Sequence, residues 1–163
     1  MNPQARAVLA RMDELHIPYA LHEHPPIAHA HDRFTLGLTF DAQVCKNLLV
    51  TTRNESRLLL LMLPADKEAD LKALRVAFGT TRMGFAGEGP LQAVLGQSPG
   101  QVGVCGVIHD TARRAEVVFD SALRGLCKVA MHPGDNTLTV VTAFAHIESY
   151  VRTWGSTVHF YDF

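Results

Sequence analysis

The sequence predicts a mixed α/β fold of the α+β kind: a central, largely antiparallel mixed sheet with helices packed around it. Three observations carry that expectation. Apolar runs of strand length are interspersed with stretches of helical period. Two pairs of runs are joined by short polar turns, as hairpins require. Hydrophobic residues make up 47% of the 163-residue chain, enough for one core and one domain over residues 1–163.

Local chemistry places each element. Asn2-Pro3 puts a capping residue before a proline at the first helical position. Val8, Leu9, Met12 and Leu15 then recur at helical spacing until Pro18. Residues 19–22 read as a short strand, and Pro25-Pro26 as an extended turn. A short helix is expected near residues 32–37. Residues 44–52 and 58–64 form a hairpin across Arg53-Asn54-Glu55-Ser56. Asp66 is expected to cap a helix carrying Leu71, Leu74 and Phe78, stopped by Gly79. Residues 82–86 read as a short strand, and Pro90 as the start of a helix ending near Gly96. Residues 97–106 are Gly-rich and irregular. Val107-Ile108 and residues 115–119 read as strands flanking a turn at 109–114. Residues 126–131 and 137–141 pair around His132-Pro133-Gly134-Asp135-Asn136. Residues 143–154 form a helix and 157–161 the last strand.

Composition excludes several classes. A net charge of −1 is not that of a protein coating nucleic acid, so an RNA partner needs a local patch. The three cysteines, Cys45, Cys105 and Cys127, are odd in number and widely spaced. They make neither a disulfide framework nor a C-x-x-C site, which fits a reducing cytoplasm. Cys45 and Cys127, in apolar strands, read as core residues. No charged start leads into an apolar signal core. The longest apolar run, residues 58–64, falls far short of the ~20 residues that cross a bilayer, so no membrane is expected.

Two strings concentrate the polar chemistry. In Cys45-Lys46-Asn47-Leu48-Leu49-Val50, Lys46 either guards an edge strand or binds a phosphate or carbonyl oxygen as a partly desolvated ammonium. Asn47 supplies a donor and an acceptor beside it, or bonds nearby backbone. In Met131-His132-Pro133-Gly134-Asp135-Asn136-Thr137, turn chemistry accounts for Pro133, Gly134 and Asp135. His132 follows an apolar strand end, where a neutral imidazole can orient a hydroxyl or carbonyl. The glycines between 96 and 106 belong to a surface loop or present N–H groups to an oxyanion. His22, His24, His29 and His31 suggest a metal, but Pro25-Pro26 breaks the geometry and no carboxylate or cysteine stands at helical ligand spacing. No metal or cofactor is therefore expected. With no activated nucleophile in either string, the pattern is that of a site that grips an ester or phosphate and lets water react.

The order of strings is informative: His24-Pro25-Pro26-Ile27, Lys46-Asn47-Leu48, Leu63-Pro64-Ala65-Asp66, Asp70-Leu71-Lys72-Ala73-Leu74, Pro99-Gly100-Gln101-Val102, Ile108-His109-Asp110 and His132-Pro133-Gly134-Asp135-Asn136-Thr137. The chain resembles the YbaK family of aminoacyl-tRNA editing domains over nearly its whole length. Within that family it looks most like the free-standing Ala-tRNA(Pro) deacylases. The resemblance implies a mixed α/β domain that hydrolyses the ester between a wrong small amino acid and the 3′ adenosine of tRNA(Pro), without metal. It implies a catalytic set of Lys46, Gly100 and His132, and a substrate-binding set of Asn47, Gln101, Val102, Gly103, Val104, Asp135 and Asn136. The implied partners are the aminoacylated 3′ end of tRNA and prolyl-tRNA synthetase, with no DNA. The family's Gly-x-x-x-Pro loop falls on residues 100–104, where Val104 replaces the proline and Gly103 and Cys105 are atypical. Residues 29–37 also depart from the usual Thr-x-Glu-Glu-Ala pattern. The altered loop leaves a second reading, a non-catalytic module that binds aminoacyl-tRNA or a synthetase, or serves as an amino-acid-sensing regulator. A third is a metal hydrolase built on the 22–31 histidines.

Overall fold

The sheet holds an all-apolar strand buried on both faces, and helices pack against each face. The computed structural model describes residues 1–27 and 32–163, so His29 and His31 lie outside the described residues. The elements are α1 (Pro3–Glu14), β1 (Ala20–Glu23), α2 (Asp32–Thr35), β2 (Gln43–Thr52), β3 (Leu58–Pro64), α3 (Leu71–Ala77), β4 (Met83–Phe85) and α4 (Glu88–Leu95). There follow a 3-10 helix (Val104–His109), β5 (Ala115–Asp120), a 3-10 turn (Ser121–Leu123), β6 (Val129–Met131), β7 (Leu138–Thr142), α5 (Phe144–Trp154) and β8 (Val158–Tyr161).

The sheet runs β1-β7-β6-β2-β3-β5-β8, with β4 also paired to β2. The pairs β1–β7, β6–β7, β2–β3 and β2–β4 are antiparallel, and β2–β6, β3–β5 and β5–β8 are parallel. β3 is an interior strand, and its sequence, Leu-Leu-Leu-Leu-Met-Leu-Pro, is buried on both faces. Alternation sends Leu58, Leu60 and Met62 into the larger core, with α1, α4, α5 and the 104–109 helix. Leu59, Leu61 and Leu63 face the smaller core, which Leu74 of α3 closes. In α1, Asn2 accepts the Ala5 N–H at 2.8 Å, and Ala5, Val8, Leu9 and Met12 form the buried stripe.

The structure corrects four expectations. Asp70, not Asp66, caps α3, its carboxylate accepting the N–H groups of Lys72 and Ala73. Residues 65–70 instead form a turn from which Lys67 reaches the fully buried Asp120, at 2.8 Å. Val107-Ile108 is not a strand but part of the 3-10 helix. Those residues sit under α1, α4 and α5 rather than along a strand edge, and Tyr150 of α5 donates to the Cys105 carbonyl there. Cys127 is exposed and precedes β6, which begins only at Val129.

Candidate active site

β2 has one fully paired edge and one broken edge. β3 pairs along it from Cys45 to Thr51. On the other edge β6 pairs only at Gln43 and Val44, and β4 only at Val50 to Thr52. The gap between them opens on a cavity of about 540 Å³, bordered by Phe85 and Ala86 on one side and Ala130, Met131 and His132 on the other. This volume suits a small ligand or the end of a larger one. Lys46, Asn47, Gly100, Val102 and His132 all line it.

Lys46 is partly buried, and its Nζ lies 3.8 Å from Oε1 of the almost fully exposed Glu68. Such an exposed partner holds an ammonium weakly. Asn47 is about nine-tenths buried, and its Oδ1 has no hydrogen-bond partner among the described residues. A buried acceptor without a partner is costly, which points to a ligand group.

His132 lies at the end of β6. Its Nδ1 is 2.7 Å from the Leu138 carbonyl. A carbonyl only accepts, so Nδ1 carries the proton and Nε2 presents a lone pair. Burial pushes the His132 pKa below the ordinary histidine value, against the opposing effect of the Leu138 bond. The His24 ring lies beside it, with centroids 6.0 Å apart. His24 donates from Nδ1 to the Pro25 carbonyl at 2.8 Å, and its Nε2 is 2.9 Å from the Thr139 hydroxyl. Both its nitrogens are thus engaged by protein. Among the described residues no group of three or more His, Cys, Asp or Glu is placed to hold a metal ion. His24 entered the sequence reading as a metal candidate and as part of the His24-Pro25-Pro26-Ile27 string, not as a site residue, and Thr139 was not singled out. The alternation of β7 opposite β1 was the available signal.

The loop before the 3-10 helix is held by Gln97, whose buried Oε1 accepts the Gly103 N–H at 3.0 Å. Gln101 donates its N–H to the Ser98 carbonyl at 3.0 Å. Two of the loop's N–H groups are therefore committed internally, while Gly100 and Val102 border the cavity. Gly100 has φ 79°, the left-handed region. A side chain there costs ~1–2 kcal/mol, a conformational reason for glycine besides the close approach expected from sequence.

Other members of the implied binding set stand back from the cavity. Val104 is fully buried in the main core, so a proline in its place would act on packing, not directly on the cavity wall. Gln101 and Gly103 shape the loop from behind. Asp135 Oδ1 accepts from the Thr137 N–H and hydroxyl, and Oδ2 from the Asn2 N–H at 2.7 Å. Burial would raise the Asp135 pKa, but these bonds bring it below the usual value. It therefore ties the His132 turn to the start of α1. The Asn136 carbonyl accepts the Ile27 N–H at 2.9 Å, fixing the segment after β1.

The state of His132 predicts a pH response. Its depressed pKa keeps the ring neutral at pH 7, so activity should hold steady from neutral pH to below the ordinary histidine pKa of about 6.5, then fall as Nε2 takes a proton. A histidine whose folded pKa is lowered binds fewer protons than in the unfolded chain. Its stabilisation is present above the unfolded value and is lost as pH falls through the folded one. His109, lowered by burial, acts in the same direction. A pH–rate profile beside thermal melts checks this: His132→Gln should remove the acid limb of the rate profile, and melts of wild type should still drop in acid.

The fold and this pocket define an aminoacyl-tRNA editing domain. Residues 24–150 match the aminoacyl-tRNA editing domain family, and the chain belongs to it. It is similar to the prolyl-tRNA editing protein ProX of Acetoanaerobium sticklandii, 36% identical over 152 residues that cover 93% of each chain. The fold also resembles a crystal structure of a protein proposed as a trans-editing enzyme for prolyl-tRNA synthetase. That match has a TM-score of 0.71 at 18% identity, over 99% of this chain and 97% of the other. A scaffold protein used in computational epitope grafting aligns with a TM-score of 0.73 at 18% identity, over 100% of this chain and 99% of the other.

Proposed function

We propose that this chain, acting as a single editing domain, is a trans-editing deacylase. It hydrolyses the ester of a small amino acid mischarged onto tRNA, with alanine on tRNA(Pro) the leading substrate and prolyl-tRNA synthetase the enzyme whose errors it clears. The carrying observation is the convergence of Lys46, His132 and the Gly100–Val102 wall on one cavity, with a relative named as a prolyl-tRNA editing protein. Among the described residues no helix is long and apolar enough to cross a membrane. The setting is the cytoplasm, where charged tRNA is made and used.

The chemistry asks little of the protein, because an aminoacyl ester is already activated. Lys46 holds a phosphate or hydroxyl oxygen of the terminal nucleotide. N–H groups of the loop face the ester carbonyl and stabilise the charge that develops on it. The bare Nε2 of His132 accepts a hydrogen bond from the ribose hydroxyl or the attacking water, orienting it. Water's oxygen bonds to the carbonyl carbon, the bond from that carbon to the ribose oxygen breaks, and the ribose oxygen takes the proton. Leu49, Leu91, Ala130 and Met131 give the cavity apolar walls. One methylene discriminates by only ~1–3 kcal/mol, so rejection of prolyl esters is shared with tRNA recognition.

The test is a panel of Ala-, Ser-, Thr- and Pro-charged tRNA(Pro) and other tRNAs, with and without chelator. Alanine release that persists in chelator is the expected result. Binding without turnover would favour the non-catalytic module, and activity lost in chelator and restored by zinc would favour the metal hydrolase.

A further inference from the structure

The broken edge of β2 carries backbone chemistry that side chains alone do not reveal. In an antiparallel pair, alternate residues exchange main-chain hydrogen bonds with the partner, and those between turn theirs to the other edge. The parity of β2 is fixed at both ends. The Val44 carbonyl accepts from Ala65 at 2.9 Å and the Thr52 N–H donates to Arg57 at 3.1 Å, so even-numbered residues face β3. Gln43 donates to the Lys128 carbonyl at 3.1 Å and Leu49 accepts from Ala86 at 2.8 Å, so odd-numbered residues face the other edge. Asn47 lies between those two bonds, where neither β6 nor β4 reaches. Its N–H and C=O therefore point into the gap, and no partner meets them among the described residues. Its side-chain Oδ1 is a third polar atom there without a partner.

We infer that the main chain of Asn47 docks the aminoacyl group as a one-residue strand on the open edge of β2. This rests on the deacylase reading and deepens it. A residue in a hydrogen-bonded antiparallel pair gives one N–H and receives one. An aminoacyl ester has the two complementary groups: an α-ammonium that donates to the Asn47 carbonyl, and an ester carbonyl that accepts from the Asn47 N–H. Oδ1 of Asn47 accepts a second ammonium proton. The N–H is then an oxyanion donor on the strand side of the cavity, opposite the Gly100–Val102 wall. This is strand addition at its smallest, reading the amino-acid backbone independently of its side chain. It leaves side-chain size to the apolar walls.

Two measurements test this. The first compares Asn47→Ala with the same protein carrying lactic acid at position 47, which replaces the backbone N–H with an ester oxygen. Loss of one oxyanion donor should lower turnover of Ala-tRNA by about 10²–10³-fold. The fold should survive, because this N–H makes no ladder bond. Turnover by Asn47→Ala itself upholds the deacylase reading. A full rate in the lactyl form then overturns the docking mode and leaves that reading standing. The second follows wild-type amide protons by NMR on titration with 3′-alanylamino-3′-deoxyadenosine, a non-hydrolysable amide analogue. The Asn47 amide proton should shift downfield and become protected from exchange. An unmoved Asn47 amide at saturation, while the His132 ring signals shift, would overturn the inference.

Discussion

Lys46→Ala should lower deacylation by about 10²–10³-fold, the usual effect of removing one preorganised electrostatic contact, while the melting temperature stays nearly unchanged. The two effects separate because Lys46 does little for the fold. Its ion-pair partner among the described residues, Glu68, is 3.8 Å away and almost fully solvated, and such pairs are worth at most ~1 kcal/mol. Its backbone groups bond β3 whatever the side chain. Within the cavity the same ammonium is partly shielded from water, where its pull on a phosphate or hydroxyl oxygen is stronger. Single-turnover rates on Ala-tRNA(Pro), set beside thermal melts of both proteins, measure the two quantities. A wild-type rate in the variant would make Lys46 a solubility residue of a strand edge and undo its place in the mechanism.

Gly103→Ala should damage stability and activity together. A Cβ on Gly103 would fall 2.1 Å from the His132 carbonyl oxygen and 3.1 Å from the Gly134 nitrogen. Both are backbone atoms, so no side chain can swing aside. The backbone of Gly103 itself is extended, at φ −131°, so the cost is collision rather than strain. Overpacking of this kind typically costs ~1–3 kcal/mol. The displaced atoms carry the turn that orients His132, so turnover should fall as well. Urea unfolding and deacylation kinetics on the same preparation test this. Unchanged stability would mean that the loop and the His132 turn do not meet as closely as described.

Gly103 also shows what the sequence could and could not tell. It was legible as a departure from the family loop, and with Val104 it raised the expectation of an altered pocket wall. The structure gives these residues other work: Gly103 lets two backbones touch, and Val104 fills the core. The strands were the most legible elements, since β3 is a bare apolar run between a polar turn and an acidic one and its limits, Leu58–Pro64, were readable as written. The cap of α3 was not, because Asp66 and Asp70 are both followed by a helical pattern. Only packing, which draws Lys67 toward Asp120, chooses between them. Val107-Ile108 misled because two β-branched residues beside a turn have strand chemistry, while burial beneath three helices favours a tight helical turn. The grouping of Lys46, Asn47, Gly100, Val102 and His132 in one site was implied by the family resemblance, and all five line the cavity. The open edge of β2 was not implied, because it depends on where β6 and β4 stop, which is set by partners distant in sequence.

Among the described residues β2 is also the strand that joins the two parts of the sheet: β6, β7 and β1 lie beyond one edge, and β3, β5 and β8 beyond the other. The walls of the cavity stand at the two ends of one edge of β2, with Met131 and His132 at the β6 end and Phe85 of β4, with Ala86 just after it, at the other. The width of the cavity is therefore a torsional property of a few peptide units around Lys46 and Asn47. Twisting that segment opens or narrows the gap as a hinge sets the span of a caliper. For the deacylase proposed above, discrimination by one methylene would then rest on the stiffness of a strand as much as on the side chains that line the cavity.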